Sequence, residues 1–217
     1  MSGDFEVYVR LISTHNKSLD TQVAHMTVAS KHAGMTLEIE TERTRLVPLS
    51  MSRVPLICRY YQENLEHLLQ WDAESEFEEP SKETWEAYAK WSEQESQANR
   101  QIEFLVLDQA QKEMLAFCSF SYITQAPTWT CDLGFSIAKA HEGIGLMSEA
   151  LAVAIESMFS TRGMHRVVAR YHADNTRSAA LLERLGFEHE GCARAYQKVK
   201  GIWSDHQVVA LVNPAHC

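Results

Sequence analysis

The sequence predicts a mixed α/β domain rather than a repeating array of strand–helix units, and three observations carry that reading. A strand-like run ahead of Pro48 is followed by two stretches with helical spacing. A meander of short segments rich in Phe, Val and Tyr then spans Glu103 to Ile137. From Thr128 to Val212 the order becomes strand, turn, helix, strand, helix, strand. At 217 residues, 45% hydrophobic and 23% charged, the chain has the size and composition of one globular domain with its own core.

Taken in order, residues 1–36 differ from the rest. Phe5, Val7, Val9 and Leu11 alternate as in a short strand, but Thr14 to Gly34 is polar without a sustained period, so this part reads as an N-terminal appendage and 37–217 as the main domain. Its first strand is expected over Leu37 to Val47, stopping where Pro48 removes a ladder donor. Helical spacing of Leu56, Tyr60, Leu65 and Leu68 or Leu69 predicts a helix over Leu56 to Trp71, and that of Trp85, Tyr88 and Trp91 another over Lys82 to Gln97. Glu103 to Leu107 and Leu115 to Ile123, separated by polar Asp108 to Glu113, read as a hairpin, and Thr128 to Ile137 as a further strand. The three-and-four spacing from Leu146 to Phe159 predicts a helix closed by Gly163. His165 to Tyr171 is a strand, Asn175 to Leu185 a helix closed by Gly186, and His206 to Val212 the last strand.

Composition excludes several classes. A formal charge of −9 argues against nucleic-acid binding, which needs an excess of Lys and Arg on one face, and suits a basic partner. No apolar run approaches the ~18 residues of a membrane span, and the N-terminus lacks the basic and apolar regions of a secretory signal, so a cytoplasmic location is expected. The five cysteines include no Cys-x-x-Cys pair and read as reduced thiols. The ten histidines form no metal-ligand pattern, so no metal is expected.

The informative segment is a strand followed by Glu142-Gly143-Ile144-Gly145-Leu146-Met147 and a helix. A helix start exposes unpaired N–H groups at the positive end of its dipole, and glycines let a phosphate approach the main chain. The segment lacks the third glycine of a dinucleotide fingerprint and the Gly-Lys-Ser/Thr of a Walker loop. A second segment, Asn175-Thr176-Arg177-Ser178, opens the next helix after a strand. Alone, Asn175 and Ser178 read as helix caps.

Together these segments resemble the GNAT superfamily, and within it the RimJ/RimL-like branch of ribosomal-protein alanine or serine N-acetyltransferases. The matching text is GFSIAKAHEGIGLMSEALAVAIESMF, HRVVARYHADNTRSAALLERLGFEHEG and ARAYQKVKGIWSDHQVVAL. The resemblance implies a mixed, mostly antiparallel central sheet splayed between two parallel strands, helices on both faces, and acetyl-CoA held in the splay. Main-chain groups of Phe135, Ser136 and Ile137 would pair with the pantetheine arm. Those of Gly143, Ile144, Gly145, Leu146, Met147 and Ser148 would hold the pyrophosphate. Asn175 would contact the cofactor arm and Ser178 would sit beside the sulfur. Two positions depart from the family: Glu142 stands where Gln or Arg is usual, and Met147 where Gly or Ala is common.

The implied reaction is direct transfer of acetyl to an amine, which attacks only when deprotonated. An α-amine titrates near ~7.7–8.0 and a lysine near ~10.4, so the former needs less help from a base. Asp132, on the strand beside the expected cofactor site, is the first candidate base, with Glu103 and Glu142 behind it. The oxyanion donor is expected at the main-chain N–H near Ile137. The tyrosine that many GNAT enzymes use on the departing thiolate is replaced here by Leu182, and Ser178 is the expected substitute. The implied acceptor is a basic protein or peptide N-terminus, as in a ribosomal protein. The rival readings are a small amine or peptide antibiotic as acceptor, and a silent acyl-CoA-binding module. The acidic stretch Asp72 to Glu83 reads as a solvated loop able to attract a basic tail. Tyr60, Tyr61 and Trp71 are either core or the lining of an acceptor groove.

Overall fold

The computed structural model describes residues 38–71 and 81–216, together with the backbone of two N-terminal strands, β1 (Phe5–Arg10) and β2 (Val23–Val28). These two pair antiparallel with each other. The expected strand at Phe5 is therefore present, and a second one follows in the stretch that shows no sustained period. Apart from these strands, the appendage over 1–36 lies outside the described residues, as do Asp72 to Pro80 of the acidic stretch.

The main sheet has eight strands: β3 (Ile39–Glu40), β4 (Thr44–Pro48), β5 (Ile102–Asp108), β6 (Met114–Ser121), β7 (Thr130–Ile137), β8 (Arg166–His172), β9 (Glu188–Val199) and β10 (Ile202–Val212). Their order is β3-β4-β5-β6-β7-β8-β10-β9. Every neighbouring pair is antiparallel except β7 and β8, which run parallel. The helices are α1 (Val54–Leu68), α2 (Lys82–Gln97), α3 (Leu146–Ser160) and α4 (Thr176–Arg184).

Both sheet faces are covered, which explains why Phe104 to Leu107 of β5 is an unbroken apolar run rather than an alternating one. Phe104 and Val106 face a core built on α3 through Leu151, Ala154, Ile155 and Met158. Leu105 and Leu107 face the other way, into a core built on α1 and α2 through Ile57, Tyr60, Trp85 and Ala89. Each of these buried large side chains contributes roughly 1.5–3 kcal/mol.

Two elements differ from the sequence reading. The first strand turns at Thr41–Arg43 and becomes the β3–β4 hairpin, closed by Thr41, whose N–H donates to the Thr44 carbonyl at 2.9 Å and whose hydroxyl lies 2.7 Å from that of Thr44. Strand β9 is absent from the sequence reading because, at the sheet edge, only its Val199 is buried. Its main chain, paired with β10, forms the strand without an apolar alternation.

The feature that positions a site is the parallel pair. It is in register only from Thr130 opposite Arg166 to Leu133 opposite Ala169. Beyond that, β7 continues to Ile137 paired with β6 alone, and β8 continues to His172 paired with β10 alone. The sheet thus opens as a wedge.

Candidate active site

The wedge leaves main-chain groups unpaired. Ala138 N–H donates to Leu115 on the β6 side at 2.9 Å, and hydrogen-bonding direction alternates along an antiparallel strand. Phe135 and Ile137 therefore point their N–H and C=O groups into the opening. A cavity of about 400 Å³ fills it, walled by Phe135–Ile137, by the loop after β7, by the start of α4, and by His67 and Trp71 at the end of α1. The sheet diverges after Leu133, so the N–H of Phe135 lies nearer the apex than that of Ile137, where the oxyanion donor was expected.

The loop between β7 and α3 has the form of an anion cradle. Gly143 and Gly145 have φ of 75° and 81°, a left-handed backbone that other residues adopt at a cost of about 1–2 kcal/mol. No side chain caps α3, and the first helical bond runs from Glu149 N–H to the Gly145 carbonyl at 3.1 Å. The N–H groups of Leu146, Met147 and Ser148 are thus without intrahelical partners. Met147, one of the two departures from the family, buries its side chain in the α3 core and leaves its main chain available.

Arg43 holds this loop from across the sheet. Its Nη1 donates to the Ile144 carbonyl at 2.8 Å and its Nε to Glu149 at 2.6 Å, while Glu149 also accepts the Arg43 main-chain N–H at 3.0 Å. Burial alone would raise Glu149, but hydrogen bonds from Thr41 and from Arg43 outweigh it and hold the carboxyl below its ordinary value. Arg184 donates to the Ser148 hydroxyl at 3.1 Å. Glu142, the other departure, is paired with Arg177 and lies 3.5 Å from His67 Nε2. Its charge is offset inside the loop instead of facing an incoming phosphate alone.

At the start of α4, Asn175 caps the helix: its Oδ1 accepts the Ser178 N–H at 3.0 Å. Ser178 is not a cap but the residue that receives one. It is half-buried on the cavity wall, and its hydroxyl makes no hydrogen bond among the described residues. The structure therefore brings Phe135, Ser136, Ile137, Gly143, Gly145, Leu146, Met147, Ser148, Asn175 and Ser178 around one cavity. The side chain of Ile144 projects to solvent.

The base candidates fare differently. Asp132 does not line the cavity. It is paired with Arg170 across the neck of the wedge, so its carboxylate is already engaged by a guanidinium. Glu103 is buried against α2, accepting from Tyr88 Oη at 2.6 Å and Ser92 Oγ at 2.5 Å. Burial raises its carboxyl despite those hydrogen bonds, and it lies outside the cavity. Of the aromatic candidates, Tyr60 is core and shares a 2.9 Å hydrogen bond with Ser136. Tyr61 packs on Tyr60 and Trp85, and Trp71 alone reaches the cavity. Burial pushes the Cys118 and Cys131 thiols up to about 12, which leaves them inert as acyl-carrying nucleophiles.

Sequence reasoning missed Arg43, Arg170, His172 and His206. A signal existed for two of them. If Val167, Ala169 and Tyr171 face one core, strand alternation puts Arg170 and His172 together on the other face. Nothing local in the sequence marks Arg43.

Comparison with known proteins follows the same lines. Residues 43–188 match the Acetyltransferase (GNAT) domain family. The [ribosomal protein uS5]-alanine N-acetyltransferase of Escherichia coli (strain K12) is 36% identical over 158 residues, 73% of this chain and 81% of that protein. The structure of the ribosomal-protein-S5-alanine acetyltransferase from Vibrio fischeri superposes with a TM-score of 0.78 at 28% identity, covering 82% of this chain and 97% of that one. RimL, the ribosomal L7/L12 alpha-N-protein acetyltransferase in complex with coenzyme A, shares the fold at a TM-score of 0.73 and 21% identity, over 81% of this chain and 97% of that one.

Proposed function

The chain belongs to the GNAT acetyltransferase family and is an acetyl-CoA-dependent N-acetyltransferase, and on that premise we propose that its acceptor is the N-terminal α-amine of a ribosomal protein, modified in the cytoplasm. One observation carries the acceptor side of this reading. A second cavity, of about 640 Å³, joins the first through His67, Trp71, Glu142, Asn175 and Arg177, and adds to its wall the carboxylates of Glu63, Glu66 and Asp174 against the ammonium of Lys139, so that carboxylates outnumber cations. Such a wall attracts the cationic start of a basic protein. The activity named for the Escherichia coli relative supports the same acceptor class. The catalytic domain is taken as 37–217, with 1–36 as an appendage. The family match from residue 43 and the main sheet from Ile39 support that division.

In this reading the main-chain groups of Phe135 and Ile137 bind the pantetheine arm as an added strand would. The amides of Gly143 to Ser148 hold the pyrophosphate. The amine nitrogen forms a bond to the thioester carbon, and the Phe135 N–H, nearest the apex, stabilises the oxyanion. The carbon–sulfur bond then breaks with its electron pair going to sulfur, Ser178 Oγ donates a hydrogen bond to the developing thiolate, and as the nitrogen loses one proton the thiolate takes one up from solvent. No covalent acyl-enzyme is involved.

The test is intact-mass analysis of ribosomal-protein N-terminal peptides incubated with acetyl-CoA and the purified chain. Each acetylated peptide should gain one acetyl group at its α-amine. Acetylation of small amines but of no such peptide would overturn the acceptor reading and leave the acetyltransferase intact.

A further inference from the structure

The face of the sheet opposite α3 carries a line of rings leading away from the cavity. Trp71, on the cavity wall, packs on His172 at 5.5 Å between ring centroids. His172 packs edge-on to His206 at 5.7 Å, and His206 on Tyr196 at 5.3 Å. Arg170 lies 5.4 Å over the Tyr196 ring and holds Asp132 at the neck of the wedge. His172 and His206 are register partners on β8 and β10, so their side chains project from the same face.

Their hydrogen bonds fix their tautomers. His206 Nδ1 lies 3.2 Å from the Ser204 carbonyl, which can only accept, so Nδ1 carries the proton and the lone pair is on Nε2. His172 has the opposite arrangement. Its Nδ1 accepts the Asp174 main-chain N–H at 3.2 Å, so in the neutral ring Nε2 carries the hydrogen. Of the two imidazoles, His206 alone offers a free basic nitrogen, and that nitrogen makes no hydrogen bond among the described residues. His206 is also among the few polar residues buried in the fold, with 3% exposure.

Neither imidazole lines either cavity, and we propose that His206 is the proton acceptor for the attacking amine through a chain of waters that runs from the cavity wall at Trp71 past His172, whose Nε2–H orients the last of them. As the nitrogen–carbon bond forms, the amine N–H breaks. Its proton passes to the first water of the chain, and the last water gives one of its own to His206 Nε2. The imidazolium returns this proton to solvent after the acetylated product leaves. The groups around His206 are His172 from β8, Tyr196 from β9 and Asp205 on its own strand, with Arg170 over the Tyr196 ring. Burial, the largest influence, and His172 lower its affinity for a proton, against the opposing pull of the Ser204 carbonyl and Asp205. The ring is therefore neutral and ready to accept near pH 7.

This inference rests on acetyl transfer to an amine and not on which amine is used, so it is tested separately from the acceptor reading. In the first experiment, nitrogen-15 spectra of the wild-type histidine rings are recorded across pH without any acceptor. His206 should appear as the Nδ1–H tautomer, protonating below pH ~6.5. The Nε2–H tautomer, or a ring already protonated at neutral pH, would overturn the proposal. In the second, His206→Asn keeps a donor to the Ser204 carbonyl and deletes the basic nitrogen. With a peptide N-terminus and with a small primary amine, its kcat/KM should fall by about a hundredfold. The acid limb of the pH profile belonging to His206 should disappear, acetyl-CoA affinity should be unchanged, and added imidazole should restore part of the rate. A folded variant that keeps wild-type kcat/KM and the same acid limb would refute the assignment.

Discussion

Replacing Asn175 by Asp separates its helix cap from the cofactor contact proposed for it. The Oδ1 of Asn175 caps α4 by accepting the Ser178 N–H at 3.0 Å, and its amide NH₂ makes no hydrogen bond among the described residues while the residue lines the cavity. Asp preserves the cap, and its charge at a helix N-terminus adds about 0.3–1 kcal/mol of stability. The melting temperature should therefore stay level or rise slightly. On the proposed cofactor side, the donor becomes an acceptor where the pantetheine arm would present its carbonyls. Losing one hydrogen bond costs about 1 kcal/mol, and leaving opposed lone pairs adds about 1–2 more, so acetyl-CoA should bind roughly 30- to 150-fold more weakly. Asn175→Ala loses both duties, with about 1 kcal/mol lower stability, a drop of about 2–4 °C in Tm and a smaller loss of affinity. Calorimetric titration with acetyl-CoA and thermal melts on the same preparations give both numbers. An Asp variant that binds acetyl-CoA as tightly as wild type would show that the amide never meets the cofactor, and Asn175 would be a cap and nothing else.

Other perturbations have equally definite outcomes. Ser178→Ala should leave the melting temperature within about 2 °C, because the cap on α4 belongs to Asn175, and should lower kcat by about tenfold with acetyl-CoA affinity retained. Full turnover in a stopped-flow thiol-release assay would remove its hydroxyl from the mechanism. Arg43→Met releases the Ile144 carbonyl and Glu149, and because the Arg43 side chain is 42% exposed the expected loss is only about 1 kcal/mol, read as a several-fold weaker acetyl-CoA affinity. Gly145→Val should weaken cofactor binding through backbone strain at φ of 81°, since a Cβ there meets nothing closer than Arg43 Nη2 at 3.6 Å. Unchanged affinity in either folded variant would detach the loop from cofactor binding. Glu103→Gln should retain full activity and change the pH profile of stability. The folded carboxyl is raised by burial, so wild-type stability falls as pH climbs from about 4.5 through the folded value, and melts of the variant should lack that fall.

What the sequence made legible depended on how local each signal was. The glycine loop and α3 could be read because a positive-φ turn and a one-sided helix are written into adjacent residues. Asn175 was found for the same reason, although its capping role and its place on the cavity wall were indistinguishable until α4 was placed beside β7. Asp132 shows the limit. Its position on a strand near the site was read correctly, but its chemistry is set by Arg170, which sits on β8 and comes beside β7 only through the short parallel register ending at Leu133 and Ala169. The β3–β4 turn and β9 were lost because one depends on two threonine hydroxyls meeting and the other on pairing at a solvent-facing edge.

The wedge itself explains why the chemistry of this site is mostly invisible in side-chain identity. In the proposed reading its recognition surface consists of main-chain N–H and C=O groups of Phe135 and Ile137 and of the first turn of α3. Many different side chains at these positions would present the same groups, provided β7 and β8 part after Leu133. What holds them apart is carried by residues that look unremarkable in sequence. Cys131 and Leu133 lock the parallel pair to the α3 core, Tyr60 ties Ser136 to α1, and Arg43 fixes the loop. The separation of the strands is therefore a packing property of both cores. Substitutions behind the wedge, such as Tyr60→Phe, should reach acetyl-CoA binding without touching the cofactor. Losing the Ser136 hydrogen bond costs about 1 kcal/mol on the wall that carries the free amides. If Tyr60→Phe lowers stability by that amount and leaves acetyl-CoA affinity untouched, β7 is held by β6 alone and α1 has no part in setting the opening.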